Sequence, residues 1–299
     1  MISNDQLARF EEQGYVIIDS PFTDAELDRA EAAWDRLHDP PGRPPHNEPD
    51  FLDLFQHPFF EEVAKRMLRA STVYMWHGLI AQERMPSDPP HPEPGAEWKR
   101  GCHIDVQATW EGFTATPRRT KAEIWLWLND APANRGAMRY LPGSHRSVMQ
   151  IWSRILTPEH KAMLPRGHGV APQIAPETRW FPEHVPDGDG APWVEREPAA
   201  MVARRGQALA FTSAGLHSAW HNEDTVPRKA MATGWIARGV RAGIPAHHYE
   251  GVFRNHAEMH KLLRPERAHI VPEHPDFFFE SPYTDKWPEM FHPDHAVET

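Results

Sequence analysis

The sequence predicts a mainly β protein with flanking helices and a jelly-roll core. Three observations predict it: short apolar runs separated by turn residues fill the middle of the chain, a helical third precedes them, and 31 prolines in 299 residues favour turns and long loops over an all-helical protein.

The elements follow in order. Ser3 or Asn4 can cap a first helix whose apolar positions, Leu7 and Phe10 with Ala8, run up to a stop at Gly14. Residues 15–18 (YVII) read as a strand ended by Asp19-Ser20-Pro21. Thr23 and Glu26 have capping-box spacing, and Leu27, Ala30, Ala33, Trp34 and Leu37 form the apolar face of the helix they open. Residues 38–50 are proline-rich and read as a loop, 59–70 as a third helix and 72–80 as a strand. Residues 86–100 form a second proline-rich loop. Beyond it the pattern turns to β, with strands at 122–128, 136–141, 207–211 and 228–237. Between about 147 and 200 lies a long segment with helical pattern near 150–164; 257–263 reads as a helix before a tail rich in proline and aromatics. With no internal repeat and no interdomain linker, the chain reads as one domain: a helical part over about 1–70, a β core over about 72–240 and a helical and Pro/aromatic-rich tail over about 245–299.

Composition excludes several function classes. An apolar fraction of 40% with 25% charged residues is ordinary for a globular protein. No stretch approaches the roughly 18 uncharged apolar residues of a membrane span, and MISNDQLARFEEQG lacks a secretory pattern, so a cytoplasmic location and no membrane partner are expected. One cysteine, Cys102, permits neither an intramolecular disulfide nor a Cys-rich zinc site. A net charge of -10 disfavours nucleic acid as a partner. The densest basic run, Arg118-Arg119 with Lys121, reads as a solvated loop, with a phosphate site as the alternative.

Twenty histidines invite a search for metal spacing. On a strand, residues i and i+2 face the same way, so His103 and Asp105 would present an imidazole and a carboxylate together, two ligands suited to a divalent iron. Two other His-x-Asp triplets, at 274–276 and 292–294, carry proline between the ligands and lie too near the C-terminus for a third ligand to follow. The best third ligand is His217, after the 207–211 strand; His221 fits less well. Eleven residues beyond His217, Arg228 opens a strand and can place its planar fork on a carboxylate beside the metal. Iron with an adjacent cation calls for an anionic, chelating cosubstrate. His256 and His260 stand four apart on the 257–263 helix pattern, but Glu258 is not where a zinc-protease base belongs, so they read as a solvated helix face.

With these residues in place the chain resembles the phytanoyl-CoA dioxygenase family of 2-oxoglutarate oxygenases. The likeness runs from FEEQGYVIID at 10–19, with 23–27, to about Ile236, and is most specific in IWLWLNDAPANRGAMRYLPGSHR at 124–146. His103-Ile104-Asp105 lies upstream of that block, as the family's metal motif does. His217 and Arg228 match its distal histidine and 2-oxoglutarate-binding arginine.

The resemblance implies a double-stranded β-helix, cupin-like core. It also implies Fe(II) held by His103, Asp105 and His217, with 2-oxoglutarate and O2 as cosubstrates and succinate and CO2 as coproducts. Trp125 falls where some members have a cosubstrate-pocket tryptophan, and a core aromatic is the alternative. Ala219 stands where some members have a serine contact, and His145 matches a structural position. Asp105 argues against halogenation, since related halogenases replace this carboxylate with a small residue. Hydroxylation, desaturation and ring formation share these ligands.

A small-molecule substrate is expected, with Trp110, Trp152, Trp180 and Trp193 on segments that can cover the barrel mouth as loop anchors or as stacking partners. The rival readings are a non-catalytic metal-binding β-barrel and an interaction module that docks a partner through the aromatic tail at 277–291. That tail equally suits a homodimer contact, or a cover for the barrel of a monomer.

Overall fold

The computed structural model describes residues 2–38, 44–76, 80–86, 98, 121–146, 196–212, 214–240 and 242–281. Helix α1 spans Asn4–Gln13; Ser3 and Gln6 form its capping box, and Gly14 ends it in the left-handed region at φ 89°. Strand β1 (Tyr15–Asp19) follows directly. Helix α2 (Asp24–His38) starts from the Thr23–Glu26 box, in which Glu26 Oε2 accepts from the Thr23 backbone N–H at 2.8 Å. Its predicted apolar face, from Leu27 to Leu37, is buried.

Helix α3 (Pro49–Phe55) begins inside the stretch read as loop: Pro49 sits in the first turn, where its missing N–H costs nothing. Helix α4 (Pro58–Leu68) matches the expected third helix. The single strand expected at 72–80 is two, β2 (Val73–Met75) and β3 (Ile80–Arg84). The chain continues through β4 (Lys121–Trp127), β5 (Arg139–Tyr140), β6 (Ala199–Ala200), β7 (Gln207–Phe211), β8 (His217–Ser218), β9 (Arg228–Ala237) and β10 (Ala242–Pro245). Helix α5 (Ala246–Leu262) starts well before the expected 257 and crosses to β11 (Phe278–Ser281), which pairs in parallel with β10. A strand there was not expected from the tail.

The large sheet has the order β1-β7-β4-β9-β2, with β3 also on β9, and all its pairings are antiparallel. Its outer face carries Val16, Ile18, Ile124, Leu126, Ala208, Ala210, Met231 and Trp235. These bury against α2, α3 and α4 in one cluster that also takes in Met259, Leu263, Ile270 and Val271 from the C-terminal part. Phe55 stacks on Trp235 with centroids 5.7 Å apart. The inner face alternates with it: Tyr15, Ile17, Trp125, Trp127, Leu209, Phe211 and Ala230 share a second cluster with Met138, Tyr140, Met201 and Ala203. The last four belong to or adjoin a three-stranded sheet of order β6-β5-β8, so the two sheets meet across this core.

Candidate functional site: a histidine and an arginine on the inner faces

His217 is placed by the turn between β7 and β8. The Leu216 N–H donates to Ser144 Oγ at 2.8 Å, the Leu141 N–H to Leu216 O at 2.9 Å, and β8 pairs with β5 so that His217 lies opposite Tyr140. The ring is 3% exposed. Its Nδ1 lies 2.8 Å from the Gly215 carbonyl, which can only accept. The proton is therefore on Nδ1, and in the neutral ring the lone pair is on Nε2, the arrangement that a metal-ligating imidazole needs.

Tyr140 stacks on His217 (centroids 6.3 Å apart, 16° between planes), and Phe211 meets it edge-on at 5.6 Å. The Tyr140 hydroxyl donates to Thr212 O at 2.9 Å, and complete burial holds this phenol well above its ordinary pKa. A Cβ added to Gly215 would lie 1.8 Å from that hydroxyl, so glycine is required where the turn passes the ring.

Arg228 opens β9 and is 2% exposed. Its Nη1 donates to Gly136 O at 2.6 Å, and its guanidinium lies 5.7 Å from the Trp125 ring and 5.3 Å from the Trp127 ring. Both indole N–H groups are buried without a hydrogen-bond partner among the described residues. Ring contacts then connect the two predicted residues: Arg228 to Trp125, Trp125 to Phe211 at 5.8 Å, and Phe211 to His217 at 5.6 Å. Trp125 thus touches both the apolar core and the arginine. Along β9 the residues alternating with Arg228 are Ala230, Ala232 and Gly234, so the strip beside the arginine carries small side chains only.

His103 and Asp105 lie outside the described residues, as do Trp110, Trp152, Trp180 and Trp193. Among the described residues no group of three or more His, Cys, Asp or Glu is placed to hold a metal. His221 donates to Glu223 Oε1 at 2.7 Å and stacks on Trp220. His145 holds the Glu11 carbonyl at 3.2 Å, and the Ser218 hydroxyl is spent on Ala219 O at 2.7 Å. His274 and Asp276 are both exposed.

Two expectations are corrected. His256 is fully buried against Phe277, and His260 donates from Nδ1 to Val271 O at 2.7 Å; this helix face is packed, because α5 is longer than its pattern and lies against the C-terminal turn. Lys121 is not part of a solvated loop. It is the buried first residue of β4 and is paired with Glu123.

Sequence reading missed Tyr140, Phe211 and Gly215 as supports of His217. Phe211 is legible as the last apolar residue of the 207–211 strand, whereas Tyr140 and Gly215 gain their meaning only from the pairing of β5 with β8.

The family model for phytanoyl-CoA dioxygenase (PhyH) matches residues 43–230. No curated protein matches the sequence significantly. Three similar solved structures give the fold relationship. The epimerase SnoN in complex with Fe3+, alpha ketoglutarate and nogalamycin RO is 17% identical, with 80% of this chain and 84% of that chain covered and a TM-score of 0.53. HygX from Streptomyces hygroscopicus, with nickel and 2-oxoglutarate bound, is 13% identical, with 82% and 91% covered and a TM-score of 0.52. EctD from S. alaskensis, with 2-oxoglutarate and 5-hydroxyectoine, is 17% identical, with 81% and 78% covered and a TM-score of 0.51.

Proposed function

This chain belongs to the phytanoyl-CoA dioxygenase family of iron(II)- and 2-oxoglutarate-dependent oxygenases, and from that premise we propose that it hydroxylates a C–H bond of a small-molecule metabolite with release of succinate and CO2. The observation that carries the reading is the burial of His217 and Arg228 on the inner faces, linked through Phe211 and Trp125.

The residues fit the cofactors. His217 has the tautomer that a metal requires, and His103 with Asp105 would complete a set of two imidazoles and one carboxylate. Arg228 would take the remote carboxylate of 2-oxoglutarate with its planar fork, beside Trp125 and over the small residues of β9. When bound, iron and 2-oxoglutarate supply the activation of O2, at the expense of oxidative decarboxylation of the cosubstrate. The chain's own contribution is positioning. Gly215 O and the Tyr140 ring hold His217 in one orientation, and Phe211, Trp125 and Trp127 keep water from the floor of the site.

The finer fold reading is a double-stranded β-helix in a single domain. What supports it is the alternation of β4, β7 and β9 in the large sheet with β5, β6 and β8 in the small one, and an outer core shared by N- and C-terminal helices. Asp105, as a carboxylate ligand, favours hydroxylation over halogenation, with desaturation or cyclisation drawing on the same ligands.

The test is succinate formation on admitting oxygen to protein loaded with iron(II) and 2-oxoglutarate, across a metabolite panel. Arg228→Ala is expected to weaken 2-oxoglutarate binding while iron stays bound. Unchanged cosubstrate affinity removes Arg228 from this role.

A further inference from the structure

Strand β4 brings two indoles side by side onto the inner face, Trp125 and Trp127, which meet edge-on with centroids 6.1 Å apart. Asn129, just beyond the strand, ties this end of β4 to the start of β9. Its amide donates to Pro227 O at 2.7 Å and its Oδ1 accepts from the Lys229 N–H at 3.0 Å, one bond on either side of Arg228. The Leu128 N–H adds a bond to Lys229 O at 3.0 Å. The same end of the sheet places the Arg228 guanidinium 5.3 Å from the Trp127 ring and 5.7 Å from the Trp125 ring.

Trp127 is fully buried, and its Nε1–H meets no acceptor among the described residues. A buried donor left without an acceptor costs the fold its lost hydration, and native interiors hold few of them. Phenylalanine would fill most of the same space, keep an edge contact with Trp125 and carry no such cost. An indole at position 127 is the better residue only where a ligand brings an acceptor to its N–H.

Three features match that acceptor to a carboxylate. The neighbouring guanidinium favours an anion, and a carboxylate seated on its fork has about four lone-pair sites, of which two bonds to arginine use only half. The indole N–H is a donor only, so it suits a group that only accepts. Across β9, Trp127 faces Ala230 and Trp125 faces Ala232, and neither partner extends beyond a methyl group.

We propose that Trp127 is a cosubstrate-binding residue, whose indole N–H donates to the remote carboxylate of 2-oxoglutarate beside Arg228 and adds to the selection of a dicarboxylate over a monocarboxylate keto acid. The proposal rests on the oxygenase reading of His217 and Arg228, and the experiment separates the two.

Protein is loaded anaerobically with iron(II) and titrated, through the metal-to-cosubstrate absorption band, with 2-oxoglutarate and with 2-oxopentanoate, which has a methyl group in place of the remote carboxylate. No band with 2-oxoglutarate in the wild type, or equal affinity for the two keto acids, overturns the oxygenase reading and the proposal with it. A wild-type preference for 2-oxoglutarate sustains that reading, and Trp127→Phe then decides the proposal. The variant is expected to bind 2-oxoglutarate roughly tenfold or more weakly, the loss of one hydrogen bond to a charged group, and to keep its affinity for 2-oxopentanoate. A residue that only packs, or that bonds only to water, would change both affinities alike; equal changes, or none, overturn the proposal. A second measurement needs no variant: the indole N–H proton resonances of wild-type protein loaded with zinc(II), which has no redox chemistry. 2-Oxoglutarate is expected to move an indole resonance downfield where 2-oxopentanoate does not. No movement, or the same movement with both, overturns the proposal even if Trp127→Phe does not fold.

Discussion

Gly215→Ala probes how the fold holds His217. The new methyl would stand 1.8 Å from the Tyr140 hydroxyl and 2.3 Å from the ring carbon that bears it, well inside any real contact. Tyr140 is fully buried between Tyr15, Phe211 and His217, so it can yield only by breaking its 2.9 Å bond to Thr212 O and tilting against the imidazole. Overpacking of this kind costs about 1–3 kcal/mol, and the lost hydrogen bond about 1 more. A total of about 3 kcal/mol corresponds to a fall in Tm of roughly 5 °C for a chain of 299 residues.

The same tilt moves the ring that stacks on His217, so iron(II) affinity should fall with stability. Calorimetry and iron(II) titration on one preparation provide the assay. Gly251→Ala is the control: it lies in α5, nothing approaches its added Cβ within 4 Å, and it should stabilise by up to about 1 kcal/mol through helix propensity. A Gly215→Ala protein with wild-type Tm and wild-type iron binding would refute the packing argument.

Further predictions address the frame and the pH response. Burial alone would raise the Glu61 carboxyl, but hydrogen bonds from Lys65, His269 and Arg267 outweigh it and hold the group at about 2, below its ordinary 4.5. A depressed carboxylate stabilises the fold above pH 4.5, and that contribution, at most about 3 kcal/mol, disappears as pH falls toward 2. Glu61→Gln should flatten stability against pH over that window in urea melts; an unchanged slope contradicts the assignment. Thr233→Val strips the Thr233 hydroxyl from Ile124 O and from the Trp235 indole N–H, bonds of 2.9 and 3.0 Å inside the sheet. Two buried groups lose their partner, so a loss of about 2–4 kcal/mol is expected in chemical denaturation, and a neutral result argues against it.

Much of the frame is legible in the sequence because its signals are local. Ser3 with Gln6 and Thr23 with Glu26 are capping spacings. Residues 207–211 and 228–237 are short, largely apolar runs between turn residues, and they form strands with the expected bounds. What escapes is non-local. Gln82-Glu83-Arg84 has no apolar alternation and is a strand because β9 offers its edge. The parallel pairing of β10 with β11 depends on the crossover through α5, which no short window contains. Pro49 lies in a proline-rich stretch with the pattern of a loop, although proline also opens helices, as it does here.

At the site, His217 and Arg228 are visible by type and spacing. Lys121, by contrast, reads as surface charge until pairing places it on an inner face. Phe277, at the start of the aromatic tail for which partner docking is one of three alternatives, stacks on Tyr74 at 5.5 Å and is 5% exposed, so this much of the tail is anchored within the chain. No helix among the described residues is long and apolar enough to cross a membrane.

The central claim is that His103, Asp105 and His217 hold one iron(II) on which 2-oxoglutarate is seated against Arg228. The most direct measurement is the anaerobic absorption spectrum of the protein with iron(II) and 2-oxoglutarate, compared among wild type, Asp105→Ala and His217→Ala. The account predicts a metal-to-cosubstrate charge-transfer band at one iron per chain in the wild type, and its loss in His217→Ala with weakening or loss in Asp105→Ala. No band in the wild type, or the same band in all three proteins, contradicts it.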